Sequence, residues 1–329
     1  MNKNEKFAFI VFLRVIAACL ITNTHFGPIY PSNSLAVGGL IGDLLFFAIS
    51  GYCLADLHGK PFGSWYWKRI IRVLPSVWII SVVLLFVGDY HIGNLWHGVK
   101  IFLYPTKYHF VGSIMLLYIP FYFIMRWEKL RERIPLLLGI LTAAWLLCYF
   151  FFYDKSLRLD IAQREITKFP YFFCMLSGAY MKLHGEKFVG KNSLWKWLAI
   201  PVSAAVYFGS KLVVDRYGLQ NWQFVVIIFV VWVSLAITAA FAGAENALSK
   251  RKTLLKAADV IAPLTLDIYV VQVAIIKRVC HLAFPLNFAA AVVLIFAAAW
   301  CLNRIVKYII MGIDGIFRKS CGKGMEKSA

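Results

Sequence analysis

Apolar residues run in long, nearly unbroken stretches along the whole chain, and short polar or basic segments separate them. Each stretch is about as long as the roughly 20 residues that a helix needs to cross the apolar core of a bilayer. The stretches are continuously apolar rather than alternating, which favours helices over strands. The pattern predicts an all-α, polytopic integral membrane protein with about ten transmembrane helices, near residues 7–26, 35–57, 73–90, 110–126, 134–153, 169–183, 197–214, 223–242, 263–281 and 288–310.

The composition excludes a single soluble domain, because 61% of the 329 residues are hydrophobic and the mean hydropathy is +0.71. The loops are short, so any chemistry belongs to the membrane domain itself. We expect a transmembrane domain over 1–311 and a short basic cytoplasmic tail over 312–329. The seven cysteines show neither CxxC nor Cys/His spacing, so we expect packing roles for them and no metal site.

The charge pattern sets the expected topology. Apart from Arg14, 24 Lys and Arg residues fall in segments on one side of the predicted spans and ten on the other. The positive-inside rule then predicts cytoplasmic N- and C-termini. Topology explains much of the net charge of +19, and attraction to membrane lipids or to an acidic cytosolic substrate explains the rest. A nucleic-acid partner is not expected.

Two ionisable residues share one face of the first predicted helix. Arg14 and His25 are eleven positions apart, which is about three turns and a rise of roughly 16 Å. Arg14 either extends its side chain to the nearby water interface or faces a polar interior, as intramembrane charges usually do. His25 is either a solvated helix end or a catalytic base, because imidazole titrates near neutral pH.

The second candidate element is FFAISGYCLA, residues 46–55. Small residues such as Ser50 and Gly51 usually allow membrane helices to pack closely, although Ser50 is also a candidate supporting residue of a site. Asp43 precedes this stretch as a carboxylate inside a predicted span. A charge at that depth is expensive, so we expect a partner for Asp43, either Arg14 or His25.

The third element is WKRIIRVLP, residues 67–75. Arg69 and Arg72 are three apart and therefore lie on one helix face, with Lys68 beside them. Two guanidinium groups in this arrangement suit phosphate oxygens. The alternative is an anchor that follows only from the positive-inside rule.

These three elements, in this order, resemble the membrane acyltransferase type 3 family of integral membrane O-acyltransferases. The likeness covers an Arg followed eleven positions later by His, a Phe-Phe-x-x-Ser-Gly signature, and an Arg-x-x-Arg followed by Pro. The residues that carry it are Arg14, His25, Phe46, Phe47, Ser50, Gly51, Arg69, Arg72 and Pro75. The chain departs from the family pattern at Leu44, where an acid is common, at His109, where Trp is common, and at Gln272, where His is common.

The resemblance implies a membrane-bound O-acyltransferase, most often an O-acetyltransferase, in a bacterial cytoplasmic (inner) membrane. Its donor would be acetyl-CoA or another acyl-CoA, bound through Lys68, Arg69 and Arg72. Its acceptor would be a hydroxyl of a surface polysaccharide, a glycolipid or another extracytoplasmic molecule. His25 would act as general base or accept the acyl group, and Arg14 would line the route of the thioester arm.

Two other function classes also fit the membrane pattern. A transporter or channel would explain the buried charges, but it gives Arg69 and Arg72 no specific task. A purely structural membrane protein leaves the cost of burying Arg14 and Asp43 unexplained.

Overall fold

The computed structural model describes residues 7–57, 59–160 and 165–326, with side chains up to residue 312. Within these ranges the chain forms helices and no strand. The α-helices are α1 (Ala8–His25), α2 (Gly39–Leu54), α3 (Phe62–Phe86), α4 (Leu95–Phe102), α5 (His109–Arg126), α6 (Glu128–Glu132), α7 (Ile134–Phe151), α8 (Lys168–Leu183), α9 (Gly185–Phe188), α10 (Leu194–Arg216), α11 (Gln223–Gly243), α12 (Glu245–Leu248), α13 (Lys252–Ile261), α14 (Thr265–Val279) and α15 (Leu286–Glu326). Short 3₁₀ turns cover Asn33–Leu35, Glu165–Thr167, Gln220–Trp222 and Ala262–Leu264.

Nine segments of the described ranges are long and apolar enough to cross a membrane. The prediction of an all-α polytopic membrane protein is therefore confirmed. The one predicted span without a counterpart among these nine, 169–183, corresponds to α8, which has only 16 residues. At 1.5 Å per residue this helix is about 24 Å long, somewhat shorter than the apolar core of a bilayer.

The observed helices differ from the predicted spans mainly at their ends. The helix α3 begins at Phe62, directly after Pro61 and before the apolar span predicted near 73–90, so it includes Lys68 as well as Arg69 and Arg72, which were expected to share a helix face. Hydropathy misses this start because the basic residues interrupt the apolar run. The helix α15 continues to Glu326, and a boundary between domain and tail at 311 remains a prediction. Lys3 and Lys6, which contribute to the predicted topology, lie outside the described residues.

Successive membrane helices alternate in direction, which brings the start of α1 together with the ends of α2, α8 and α11. The backbone N–H groups of Ala8 and Phe9 donate to the carboxylate of Glu245, just after α11, at 2.9 and 2.8 Å. The ammonium of Lys182 lies 4.9 Å from the ring of Phe7 and 5.1 Å from that of Tyr52. We call this side of the bundle, where the predicted Lys- and Arg-rich segments lie, the basic end.

The helix α2 lies between α1 and α8 at very short range. A Cβ atom on Gly51 would overlap the carbonyl of Met175, and one on Gly178 would overlap the carbonyl of Ala48. On the other side of α2, a Cβ on Gly42 would approach the carbonyl oxygen of Ala17 to 2.6 Å. Glycine is therefore required by close backbone approach at these positions, and α2 is held firmly between its neighbours.

Candidate active site

A buried carboxylate organises the end of the bundle away from the basic end. Asp43 is only 3% exposed, and its Oδ2 accepts a hydrogen bond from the hydroxyl of Tyr171 at 3.0 Å. The Nε2 of His109 lies 3.4 Å from the same oxygen. His25, the last residue of α1, interacts electrostatically with both Asp43 and His109. We call His25, Asp43, His109 and Tyr171 the carboxylate cluster.

Aromatic packing fixes the carboxylate cluster in place. Phe47 stacks on Tyr171 with ring centroids 4.5 Å apart, and it also meets Phe110, the neighbour of His109, at 5.2 Å. The ring of Tyr269 lies edge-on to His109 at 6.4 Å. Phe47 belongs to the Phe-Phe-x-x-Ser-Gly signature, so this motif helps to orient the groups that contact Asp43. The glycine of the same motif, Gly51, allows α8 to pack closely against α2.

Two buried polar atoms in this region lack a hydrogen-bond partner among the described residues, the Oδ1 of Asp43 and the Nε2 of Gln272. Gln272 is fully buried, and its Oε1 accepts from the hydroxyl of Thr22, one turn before His25, at 2.7 Å. An unsatisfied buried polar group costs about 1–3 kcal/mol. The pair offers one acceptor and one donor to a ligand that reaches His25.

A second group of ionisable side chains lies closer to the basic end. The Nη2 of Arg14 lies 3.9 Å from the sulfur of Cys53, and Cys53 also interacts electrostatically with Lys182 and Arg69. Arg14, Cys53 and Lys182 line a cavity of about 380 Å³ together with Tyr52 and Asp259. We call Arg14, Arg69 and Lys182 the cationic cluster.

The three predicted phosphate-binding residues do not behave alike. Arg69 turns toward the bundle, with its guanidinium 5.4 Å from the ring of Trp65, and its buried Nε has no hydrogen-bond partner in the described part of the chain. Arg72 interacts electrostatically with Arg69 but is exposed, as is Lys68. Thus the structure joins Arg69, and not Lys68, to the group around Arg14.

The placement of the other predicted site residues follows from α2. Arg14 approaches this helix at Cys53, and His25 interacts electrostatically with Asp43 of the same helix. The expectation that Arg14 or His25 directly pairs with Asp43 needs correction, because the direct contacts come from His109 and Tyr171. Ser50 lies on α2 between the two clusters and interacts with Tyr118 of α5.

Sequence reasoning missed His109, Tyr171 and Lys182. His109 is the first residue of α5. Its departure from the family pattern is the sequence signal that could have identified it as a site residue. Tyr171 and Lys182 lie on α8, which carries a second Ser-Gly pair at 177–178. That repeat of the Ser50-Gly51 pair indicates which helix packs against α2.

No group of three or more His, Cys, Asp or Glu side chains that could hold a metal ion occurs within the described ranges. The side chains of the two clusters offer chemistry of their own. An imidazole beside a carboxylate can remove a proton from a hydroxyl, and guanidinium and ammonium groups bind phosphate oxygens. Arg14 and His25 are separated along α1 by roughly 16 Å.

Comparisons with known proteins give one match. A family model described as an acyltransferase domain, of the acyltransferase type 3 family, matches residues 7–304. This match covers every residue of both clusters. No curated protein and no solved structure matches the chain.

Proposed function

The chain belongs to the acyltransferase type 3 family, and on this premise we propose that it transfers an acetyl group from cytosolic acetyl-CoA to a hydroxyl group outside the cytoplasm. The acceptor is a surface polysaccharide, a glycolipid or another exported hydroxyl compound. The protein lies in a bacterial cytoplasmic membrane with its basic end in the cytosol, as the distribution of Lys and Arg favours.

The observation that carries this proposal is the separation of two chemically different clusters along α1 and α2. Arg14 and Cys53 lie at one level, and His25 and Asp43 lie at the other. The distance between Arg14 and His25, roughly 16 Å, is comparable with the length of a pantetheine arm. A donor whose phosphates bind near the basic end can therefore present its thioester beside His25.

The cationic cluster binds the donor. Arg69 supplies a buried N–H that has no hydrogen-bond partner in the described part of the chain, Arg72 adds charge next to it, and Lys68 lies at the adjacent position on α3. Arg14 contacts only the Cys53 sulfur among the described polar atoms, so its N–H groups are available to a phosphate or to a carbonyl of the arm. Charge-assisted hydrogen bonds of this type are about twice as strong as neutral ones.

The carboxylate cluster carries out the transfer. His25 removes the proton from the acceptor hydroxyl while the oxygen attacks the thioester carbonyl, so a C–O bond forms and the C–S bond breaks. The proton then passes from the imidazolium to the departing CoA thiolate. Asp43 stabilises the imidazolium, and Gln272 Nε2, which has no hydrogen-bond partner within the described ranges, donates to the oxyanion.

A covalent route uses the same imidazole. His25 attacks the thioester, CoA leaves, and the acetyl-imidazole then reacts with the acceptor hydroxyl. Intact-mass measurement after rapid quenching separates the two routes. A gain of one acetyl group that is absent from His25→Ala indicates the covalent route, whereas its absence during turnover indicates direct transfer.

The family assignment favours this enzyme over a transporter or channel, and one experiment tests the choice. Purified protein in nanodiscs is incubated with acetyl-CoA labelled in the acetyl group and a glycan extract from the producing cells. We expect label in the acceptor fraction with the wild-type chain and none with His25→Ala or Arg14→Ala.

The control is His97→Ala, which removes an exposed histidine that belongs to neither cluster and should leave transfer intact. Each variant must also be shown to insert and to keep its thermal transition. Transfer at the wild-type rate in both His25→Ala and Arg14→Ala would refute the site.

A further inference from the structure

A second cavity at the basic end carries cations that the sequence motifs did not identify. It measures about 380 Å³, and its polar lining consists of Arg126, Arg131, Lys182 and Asp56. Lys182 also lines the cavity that contains Arg14 and Cys53, so one ammonium group borders both spaces. We call this second space the end cavity.

The end cavity lies closer to the cytosolic surface than the cationic cluster does. On α3, Trp65 packs against Tyr118 and Tyr122 of α5 at 5.7 and 5.3 Å, and Arg69 interacts electrostatically with Tyr118. Arg126 ends α5 eight residues after Tyr118, which places it about 12 Å further along the helix axis. The cations therefore form two levels rather than one.

Coenzyme A also carries its phosphates at two levels. Starting from the thioester, the pantetheine arm comes first, the pyrophosphate second, and the ribose with its 3′-phosphate last. A phosphate monoester carries a charge of about −1.5 to −2 at neutral pH and suits a site with more than one guanidinium group. We infer that the end cavity binds the 3′-phosphate of the donor, through Arg126, Arg131 and Lys182, while the pyrophosphate lies deeper beside Arg69. This inference rests on the proposed function, because it assigns a subsite for the same donor.

Two carboxylates near the end cavity are consistent with this subsite. Asp56 lines the cavity and has a polar interaction of its own. Glu128 lies 3.5 Å from Arg131 across one helical turn of α6, and its side chain is 75% exposed. An exposed ion pair of this kind contributes little, so Arg131 can exchange Glu128 for a phosphate at small cost. The lining keeps an excess of positive charge.

The test compares coenzyme A with 3′-dephospho-coenzyme A as ligands of the purified full-length chain in nanodiscs, using isothermal titration calorimetry. The wild-type chain should bind coenzyme A roughly ten- to hundred-fold more tightly, the range expected for charge-assisted hydrogen bonds to one phosphate. In the double variant Arg126→Gln, Arg131→Gln this preference should disappear, with the affinity for the dephospho compound changed by no more than about two- to three-fold.

The matched control is the double variant Lys129→Gln, Arg133→Gln. It removes two charges from the same short segment, and both residues are exposed and absent from the cavity lining. It should keep the wild-type preference, which separates a local subsite from a general effect of positive charge.

Two results would overturn the subsite and leave the proposed function standing. One is equal binding of both compounds by the wild-type chain, and the other is an unchanged preference in Arg126→Gln, Arg131→Gln. A wild-type chain that binds neither compound would refute the coenzyme A donor and the subsite together.

Discussion

The two polar clusters of this protein differ in how firmly the chain holds their side chains, although each has one buried atom without a hydrogen-bond partner among the described residues, the Oδ1 of Asp43 and the Nε of Arg69. In the carboxylate cluster, Asp43 accepts a hydrogen bond from Tyr171 at 3.0 Å, and the Nε2 of His109 lies 3.4 Å from the same carboxylate. Phe47 stacks on Tyr171, and Tyr269 packs edge-on against His109. In the cationic cluster, Arg14 approaches only a sulfur atom at 3.9 Å, and the Nε of Arg69 has no partner among the described residues.

This difference indicates different tasks. A catalytic group has to be held in its working geometry before the substrate arrives, because reorganisation during the reaction raises the barrier. A binding site for a charged ligand instead keeps donors that the ligand satisfies. The carboxylate cluster fits the first description and the cationic cluster fits the second, so substitutions in the two should affect different kinetic constants.

The largest effect that separates the clusters is expected for Asp43→Asn. The change removes the negative charge that stabilises the His25 imidazolium and weakens the charged hydrogen bond from Tyr171, a kind of bond worth about 1.5–3 kcal/mol, so kcat should fall roughly ten- to hundred-fold. The KM for acetyl-CoA should stay unchanged, because Asp43 lies away from the cavity that contains Arg14. Steady-state kinetics with varied acetyl-CoA measures both constants, and Tyr171→Phe, which keeps the carboxylate, should show a smaller loss of kcat. A raised KM with intact kcat in Asp43→Asn would reverse the assignment of the clusters.

A packing change should damage both clusters at once, because α2 carries residues of each. Gly51→Ala places a methyl group on the carbonyl of Met175, and overpacking of this kind costs about 1–3 kcal/mol. We expect a lower thermal transition in detergent and losses in both kcat and donor affinity. Gly139→Ala is the matched control, since a Cβ there meets no atom within 4 Å. Equal transition temperatures for the two variants would show that α2 and α8 are not packed as described.

A smaller effect, confined to donor binding, is expected for the double variant Arg69→Gln, Arg72→Gln. The KM for acetyl-CoA should rise about ten-fold, while kcat and the pH optimum stay the same because neither residue contacts the carboxylate cluster. The double variant Lys250→Gln, Arg251→Gln removes the same charge from exposed positions at the basic end and should leave the KM near the wild-type value. An unchanged KM in the Arg69, Arg72 variant would show that these residues only anchor α3 at the membrane surface.

The smallest effect concerns a region outside both clusters. Hydrogen bonds from Lys277 and Arg278, at 2.8 and 2.7 Å, lower the pKa of Asp89 below its ordinary value of 3.8. A depressed carboxyl pKa stabilises the folded state above pH 3.8, and this contribution is lost as the pH falls through the folded-state pKa. Asp89→Asn should therefore lower the transition temperature slightly at pH 7, with a difference that shrinks at acidic pH and leaves catalysis unchanged. A difference that grows on acidification would contradict the ion pair.

Local spacing predicted what lies within one helix. The positions of Arg14 and His25 on a common face follow from the helical period alone, and in the structure both interact with residues of α2. The spacing of Arg69 and Arg72 also predicted a shared helix face, but hydropathy did not locate the start of α3 at Phe62, because basic residues interrupt the apolar run. One of these basic residues is Arg69, whose Nε is buried in the bundle.

Contacts between distant helices could not be predicted in this way. The partners of Asp43 come from α5 and α8, 66 and 128 residues away, and no periodicity within α2 identifies them. In the sequence, Lys182 is only one of the many Lys and Arg residues that indicate the topology. Its place beside the cavity that contains Arg14 depends on the close packing at Gly51 and Gly178, which brings α8 against α2.

The most direct test of the central claim is a measurement of sidedness. Inverted membrane vesicles that contain the protein, with the cytosolic face outward, are loaded with a glycan extract and then supplied with labelled acetyl-CoA on the outside only. The account predicts that labelled glycan accumulates in the lumen and that His25→Ala abolishes this product. Labelled glycan formed only when donor and acceptor are on the same side would contradict a donor site at the basic end and a transfer site at the opposite end.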